Sequence, residues 1–214
     1  HDTRGPSLVV TRSVDTRIVG NLFSGDAPTN AIRLLQGSSR GVIAGNVVLD
    51  GDRSGIVVRN DSDNVIVRNN LVWHRGGGGI SVSKSQCAEV THNLVMDNRQ
   101  KGIEVRTAYG VVVRDNRIFG NRSSALWVSD QKSGVATVLE DNVLLGNGAG
   151  LATADGEILV LERNDFTNQF PRFVDGDLST QGRIIAANLD GSTPMVLTAG
   201  GLYEGLVPSV ECGS

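Results

Sequence analysis

The sequence predicts an all-β fold, a right-handed parallel β-helix of about seven coils with an irregular C-terminal cap, on three observations. A phrase of about two dozen residues recurs along the chain, for example "SGIVVRNDSDNVIVRNN" (54–70) and "KGIEVRTAYGVVVRDN" (101–116). Val and Ile alternate with polar residues over short runs that break at Gly, Asn, Asp or Ser. No run of ten residues holds the apolar period of a helix. Because so short a unit cannot bury a core alone, it must stack on copies of itself.

The first repeated marker is an asparagine that follows a short apolar run. Successive copies are 22 to 26 residues apart, at Asn21, Asn46, Asn70, Asn93, Asn116, Asn142 and Asn164. In a β-helix each residue lies above its counterpart at about the ordinary strand spacing of 4.8 Å. An inward-facing column of amides can therefore bind the corner backbone and the next amide. We expect a ladder of stacked asparagines.

The second marker is a small residue followed by a large aliphatic one, in the same phase as the first. The pairs are Ala31-Ile32, Gly55-Ile56, Gly79-Ile80, Gly102-Ile103, Ala125-Leu126 and Gly150-Leu151. Glycine at this position is expected to tolerate a sharp turn into the following strand.

Alternation along the strands predicts three apolar stripes that form the core. The stripe after the small residue holds Ile32, Leu34, Ile56, Val58, Ile80, Val82, Ile103, Val105, Leu126 and Val128. The stripe before the asparagine holds Ile18, Ile43, Val67, Val90 and Val113. The stripe after the asparagine holds Phe23, Val48, Val72, Val95, Ile118, Leu144 and Phe166.

The regular pattern covers residues 1–166 and then loses phase. Residues 167–214 are predicted to form irregular last coils and a cap, which the open end of a β-helix needs. At the other end, "SLVVTRSVDTRIVGN" already reads as a coil. We therefore expect further N-terminal coils, or a partner that covers the first coil.

Composition excludes several classes of function. A net charge of −3 gives no general attraction to nucleic acid or to an anionic membrane. No apolar stretch approaches the length of about 18 residues that a membrane helix needs. The cysteines Cys87 and Cys212 do not have the spacing of metal ligands and the three histidines do not cluster, so no metal site is expected, and the sequence leaves the cofactor unknown. The two cysteines could form one bridge, but the sequence does not place them together.

The outward face of one strand column carries a cation in five consecutive coils, at Arg12, Arg33, Arg59, Lys84 and Arg106. Arg and Lys bind carboxylates by charge-assisted hydrogen bonds, so such a row suits a polymer with a carboxylate on every sugar. The predicted partner is therefore an anionic polysaccharide. The alternative is that these cations keep the strand faces soluble and block edge-to-edge pairing.

Other polar and aromatic residues share that wall. Glu104 and Trp127 lie on it and Tyr109 lies at the adjoining corner, where Trp127 or Tyr109 could stack on a sugar. His74 and Arg75, in "WHRGGGG", lie in a corner near the same wall. The four glycines that follow favour a loose turn over the close approach of another group.

These coils resemble the carbohydrate-binding and sugar-hydrolysing β-helix repeats. More narrowly, they resemble the mannuronan C5-epimerases that modify alginate in the periplasm or outside the cell. The section "SALWVSDQKSGVATVLEDNVLLGNGAGLATADGEILVLERNDF" (124–166) is similar to the closing coils of those enzymes. The resemblance covers roughly residues 7–166. It implies an extracellular or periplasmic location.

The resemblance also implies a catalytic groove along the cationic wall, with an Asp-Pro-His-Asp motif and an arginine one coil later. The motif is absent here, whereas Arg12 matches the arginine. For an epimerase or lyase, the expected carboxylate neutralisers are Arg12, Arg33 and Arg59, and Tyr109 or Glu104 is the candidate acid or base. Lys84, Glu104, Arg106, Trp127 and His74 are the expected substrate-binding residues. The alternative is a non-catalytic structural or carbohydrate-binding β-helix.

Overall fold

Short strands stacked in parallel build the whole described part of the chain. The computed structural model describes residues 8–26, 28–130, 135–153 and 159–170, and the backbone of the strands at 173–174, 195–198 and 201–204. Each coil contributes one strand to each of three sheets, and neighbours within a sheet are about one repeat apart in sequence. The predicted all-β parallel β-helix is confirmed.

Sheet 1 has eight strands, in the order in which they stack. They are β1 (Leu8–Thr11), β4 (Ile32–Leu35), β7 (Ile56–Arg59), β10 (Ile80–Ser83), β13 (Ile103–Arg106), β16 (Ser124–Ser129), β19 (Ala149–Thr153) and β21 (Phe173–Val174). All of its pairings are parallel. This sheet carries the cationic wall.

Sheets 2 and 3 complete each coil. Sheet 2 holds β2 (Arg17–Val19), β5 (Val42–Ala44), β8 (Ile66–Arg68), β11 (Glu89–Thr91), β14 (Val112–Arg114), β17 (Thr137–Glu140), β20 (Leu159–Glu162), β22 (Met195–Thr198) and β23 (Gly201–Glu204). Sheet 3 holds β3 (Leu22–Phe23), β6 (Val47–Leu49), β9 (Leu71–Trp73), β12 (Leu94–Met96), β15 (Arg117–Phe119) and β18 (Val143–Leu145).

The described strands make six complete coils, since sheet 3 has six strands. A seventh coil contributes β19 and β20, and a single bridge from Val143 to Asp165 stands in place of its third strand. The parallel pattern then ends, because β22 and β23 add to sheet 2 in antiparallel fashion. The rest of the predicted cap lies outside the described residues, so the boundary at residue 166 stays a prediction.

The three predicted apolar stripes form one continuous core. Every stripe residue is buried except Phe23, which is half-buried and packs against the others in the first coil. Every second residue of a strand faces the core because strand side chains alternate between the two faces of the sheet.

The predicted asparagine ladder is present between sheets 2 and 3. From Asn46 onward, the amide oxygen of each asparagine accepts hydrogen bonds from both the backbone N–H and the side-chain amide of the asparagine one coil earlier. The same side-chain amides also donate to strand carbonyls, such as that of Val67 from Asn93 at 2.9 Å. Corner groups that no strand could pair are thereby satisfied.

A second ladder, which the sequence analysis missed, fills the corner between sheets 3 and 1. It runs through Asn98, Asn121 and Asn147 to Gln169, again with each amide oxygen accepting from the previous coil. Its first member is Arg75, whose backbone N–H donates to Asn98. The sequence carried a signal for it, because an asparagine stands five residues after Asn93, Asn116 and Asn142.

The glycines before the aliphatic residues are required because a larger side chain would not fit. The predicted reason, a sharp turn into the strand, was wrong. Gly55, Gly79 and Gly102 do not have the positive φ that a sharp turn would need. A Cβ on Gly79 would instead lie 2.6 Å from the carbonyl oxygen of Gly102. The interpretation of 76–79 as a loose turn was also wrong, since a Cβ on Gly76 would lie 2.6 Å from the Asp52 carbonyl oxygen. These glycines admit the close approach of the neighbouring coil.

Cys87 lies in the corner between β10 and β11 and is disulfide-bonded. The chain has one other cysteine, Cys212, which lies outside the described residues. The described residues contain no helix that is long and apolar enough to cross a membrane.

Candidate polysaccharide-binding groove

The outer face of sheet 1 is ordered in columns by the parallel register. Arg33, Val57, Ser81, Glu104 and Trp127 stand at equal height on consecutive strands. A second column, two residues further along the strands, consists of Leu35, Arg59, Ser83, Arg106 and Ser129. Each column has a spacing of about 4.8 Å per coil. The wall predicted from the sequence therefore exists, with its cations in more than one column.

Two of the predicted cations occupy the corner that follows sheet 1. Arg12 and Lys84 both have a left-handed backbone, with φ of 51° and 50°. Their backbone N–H groups donate to Leu35 and Arg106, the last residues of the next strands of the sheet. They share a column three coils apart, beside the one that holds Arg59 and Arg106.

Two adjoining cavities make a groove across this face. The larger has a volume of about 330 Å³, and its charged lining residues are Arg59, Lys84, Glu104 and Arg106. The other has a volume of about 320 Å³ and includes Arg33, Asp52 and Arg53 in its lining. Both are lined by Asn30 and Ser54, so the two cavities meet there. We call them the Arg59 cavity and the Arg33 cavity, and together the groove.

Four cations of the groove have no carboxylate partner among the described residues: Arg33, Arg53, Arg59 and Lys84. No ion pair or side-chain hydrogen bond of theirs occurs in that part of the chain. The Nε atom of Arg33 is moreover buried without a hydrogen-bond partner. These cations are therefore available to an anionic ligand.

Glu104 and Arg106, the other charged residues that line the Arg59 cavity, are both paired. Glu104 accepts from Lys101 Nζ at 2.6 Å and from Ser81 Oγ at 3.0 Å. Lys101 Nζ also lies 4.2 Å from the centroid of the Trp127 ring, which is the geometry of a cation–π contact. Lys101 thus covers a face of the aromatic ring that the sequence put forward for sugar stacking.

Arg106 contributes a more exposed pair at the edge of the groove. Its Nε donates to Asp130 at 3.1 Å, and both side chains are more than half exposed. An exposed pair of this kind is weak and is readily exchanged for another partner. Arg106 can therefore serve a ligand as well as Asp130.

The remaining predicted site residues flank the groove. Tyr109 lies in the corner after sheet 1, bridged to Gln86, and does not line either cavity. His74 lies in the corner before sheet 1, where Nδ1 contacts Asp50 at 2.8 Å. A small cavity of about 90 Å³ beside His74 shares Asp52 with the Arg33 cavity. Arg12 lies one coil above Arg33 and lines none of these cavities.

Sequence reasoning missed the groove wall that comes from the corners between sheets 3 and 1. Pro28, Thr29 and Asn30 form one part of it, and Asp52, Arg53 and Ser54 form the other. A signal existed, since the chain between sheet 3 and the small-residue marker is longer after the first coil, at 24–30, than after the later ones. Extra residues at a corner must protrude beside the sheet, and here they deepen the groove.

Comparison with known proteins decides the family. A family model described as "Right handed beta helix region" matches residues 1–109 and 30–188. The chain belongs to the right-handed β-helix family. No curated protein sequence matches it.

Solved structures of other right-handed β-helix proteins share the fold. A double-mutant form of the periplasmic alginate epimerase AlgG superposes with a TM-score of 0.65 at 21% identity, over 81% of this chain and 38% of that one. The A-module of the Azotobacter vinelandii mannuronan C-5 epimerase AlgE4 superposes with a TM-score of 0.53 at 15% identity, over 78% of this chain and 59% of that one. At these identities the likeness concerns the fold, and the chain spans well under half the length of the AlgG structure.

Proposed function

We propose that this β-helix binds an anionic polysaccharide of the uronate class in the groove of sheet 1. The observation that carries the proposal is the row of Arg33, Arg59 and Lys84, which have no carboxylate partner among the described residues and stand on three consecutive coils within one open groove. A polymer with a carboxylate on each sugar presents anions at regular intervals, as the coils present cations. The alginate epimerases among the structural neighbours support the same class of ligand.

The finer proposal is an epimerase-like or lyase-like reaction on the bound uronate. Removal of the proton at C5 leaves a carbanion, and a guanidinium beside the carboxylate stabilises the enolate-like intermediate as charge develops. A base takes the proton, and then either an acid returns one to the opposite face or the glycosidic oxygen leaves. Arg33 and Arg59 suit the neutralising role. Arg12 and Tyr109, which flank the groove, are the further catalytic candidates, beside Glu104.

Binding without catalysis is the second candidate, and the state of Glu104 favours it. This carboxylate of the groove is held by Lys101 and Ser81, which leaves it poorly placed to take a proton. Lys101 is also engaged with Trp127. The groove would then hold the polymer through the free cations alone.

An affinity measurement with matched variants tests the binding proposal. Arg59→Ala and Lys84→Ala should each weaken binding of polymannuronate by about tenfold or more, because each loses a charge-assisted hydrogen bond. Arg68→Ala is the control, since Arg68 is an exposed cation on the outer face of sheet 2. Equal losses in all three variants, or none, would reject the groove as the binding site.

The same samples separate the two candidate functions. Unsaturated product absorbing in the ultraviolet reports a lyase, and a change in the proton NMR spectrum of the polymer reports an epimerase. Binding with neither signal establishes the non-catalytic function.

We propose an extracellular or periplasmic location. The disulfide at Cys87 supports it, because such bonds form and persist in oxidising compartments. A periplasmic protein among the structural neighbours agrees with this location.

A further inference from the structure

Arg75 is a buried cation in the corner between sheets 3 and 1. Only 2% of its surface is exposed, and it is among the largest fully buried side chains of the described residues. Burial lowers the pKa of its guanidinium, against the opposing effect of Asp50 and Asp52. An arginine is rarely buried in this way without a specific set of partners.

The partners of the Arg75 guanidinium are backbone carbonyls from different segments. Nε donates to Arg53 at 3.0 Å, Nη1 to Leu49 at 3.3 Å and Nη2 to Thr29 at 3.1 Å. One planar group therefore ties the segment around Thr29 to the segment 49–53. The asparagines of the later coils have a shorter side chain with two N–H donors, and these donate to strand carbonyls of sheet 3 and to the next member of the ladder.

The backbone around Arg75 is built to admit the guanidinium. Arg75 heads the second ladder, and one coil earlier its place is taken by Gly51, whose carbonyl accepts from the N–H of Gly76 as that of Arg75 accepts from Arg99. A Cβ on Gly51 would lie 2.5 Å from Nη1 of Arg75. The missing side chain at Gly51 is thus the space that the guanidinium occupies.

The segments that Arg75 joins are the wall of the Arg33 cavity. Pro28, Thr29 and Asn30 line it from one side, and Asp52, Arg53 and Ser54 line it from the other. The Nε atom of Arg33, which lines the same cavity, is buried without a hydrogen-bond partner among the described residues. The position of these two segments therefore depends on the hydrogen bonds that the buried Arg75 guanidinium donates to them.

We propose that Arg75 is a positioning residue that holds the wall of the Arg33 cavity in place and so sets the contact between Arg33 and a ligand anion. The proposal rests on the function proposed above for the groove. Arg75 itself does not touch the ligand, because its guanidinium is turned to the backbone.

The test uses Arg75→Asn, which restores the residue type found in the same ladder position in the coils at Asn98 and Asn121. The fold should persist, while the carbonyls of Thr29 and Arg53 lose their donor. We expect faster amide hydrogen exchange at Thr29 and Asn30 and in 49–54, with unchanged exchange in β13 and β16. Arg75→Lys, which keeps the charge with fewer donors, should give an intermediate effect and serves if Arg75→Asn fails to fold.

Binding of polymannuronate gives the second readout. Arg75→Asn should weaken binding by about tenfold, and a double-mutant cycle should show coupling to Arg33→Ala and additivity with Arg106→Ala. Arg68→Asn is the charge-matched control. Unchanged exchange in the wall, or equal coupling to both arginines, would overturn the proposal. If the wild-type protein binds no polyuronate, the proposed function falls and the exchange data alone decide whether Arg75 holds the wall.

Discussion

At the scale of single residues, the tightest demand of the fold is for small side chains where each coil begins its strand of sheet 1. Gly55, Gly79 and Gly102 occupy that column, and a Cβ on any of them would run into a core residue of sheet 3 and a backbone oxygen of the next coil. The backbone oxygen cannot move without shifting a paired strand. The column is therefore fixed by packing.

Gly79→Ala should lower the free energy of unfolding by about 1–3 kcal/mol, the usual cost of overpacking. The added Cβ would lie 2.6 Å from the Gly102 carbonyl oxygen. Ser83→Ala, a half-buried outward position of the same coil, should change it by less than about 0.5 kcal/mol. Urea unfolding followed by circular dichroism measures both, and equal midpoints would contradict the packing argument.

At the scale of elements, the asparagine ladders connect the corners of successive coils by hydrogen bonds, as the sheets connect their strands. The side chain of Asn93 donates to Val67, Thr91 and Asn116 and accepts two bonds from Asn70. Asn21, at the exposed end of the same ladder, accepts no such bonds from any of the described residues that precede it. Position along the ladder should therefore decide the energetic cost of losing a member.

Asn93→Ala should destabilise the protein by about 3 kcal/mol or more, since several buried polar groups lose their partners at once. Asn21→Ala should cost less than about 1 kcal/mol, because water can replace the lost bonds. Denaturant midpoints of the two variants test this difference. Similar midpoints would mean that the ladder contributes little beyond strand pairing.

The ladders also show how far a sequence predicts such a fold. The first ladder and the three core stripes could be predicted because every coil repeats them in phase. The second was missed because Arg75 and Gln169 replace asparagine at its ends, which hides the repeat. The groove wall was missed for a related reason, since it depends on residues such as Thr29 and Arg53 that occur in one coil only. Features that occur in one coil only can be recognised only from the three-dimensional contacts.

The candidate site divides in the same way. Alternation predicts that Arg33, Arg59 and Arg106 face outward from sheet 1, and they do. Alternation does not show which charged side chains form ion pairs, so the ion pair between Glu104 and Lys101 was not predicted. Alternation also does not show where the surface forms a cavity. The position of Tyr109 beside the groove, rather than in it, could therefore not be predicted.

At the scale of the whole molecule, the groove crosses the strands and spans the four coils from Arg33 to Arg106. The distance over their three strand spacings is about 14 Å. Ligand anions along this path meet the cations in succession. The net charge of −3 leaves the rest of the surface without a general attraction for a polyanion.

Affinity for oligomannuronates should rise with each added sugar until the oligomer spans the groove, and then level off. Each sugar within the span adds a carboxylate contact, whereas sugars beyond it meet no cation of the groove. Isothermal titration calorimetry across a size series, from disaccharide upward, measures the plateau. An affinity independent of length would argue for a single anion site, and a continuous rise would argue for binding outside the groove.

The stacking register has a consequence for how such a surface can change over time. Neighbours in the groove are about one repeat apart in the chain, so duplicating or deleting a whole repeat would lengthen or shorten the binding surface by one rung and leave every other contact aligned. Losing a single residue inside a strand would instead turn core side chains outward. Selection on ligand size can therefore act through gain and loss of entire coils, with the architecture carried along unchanged.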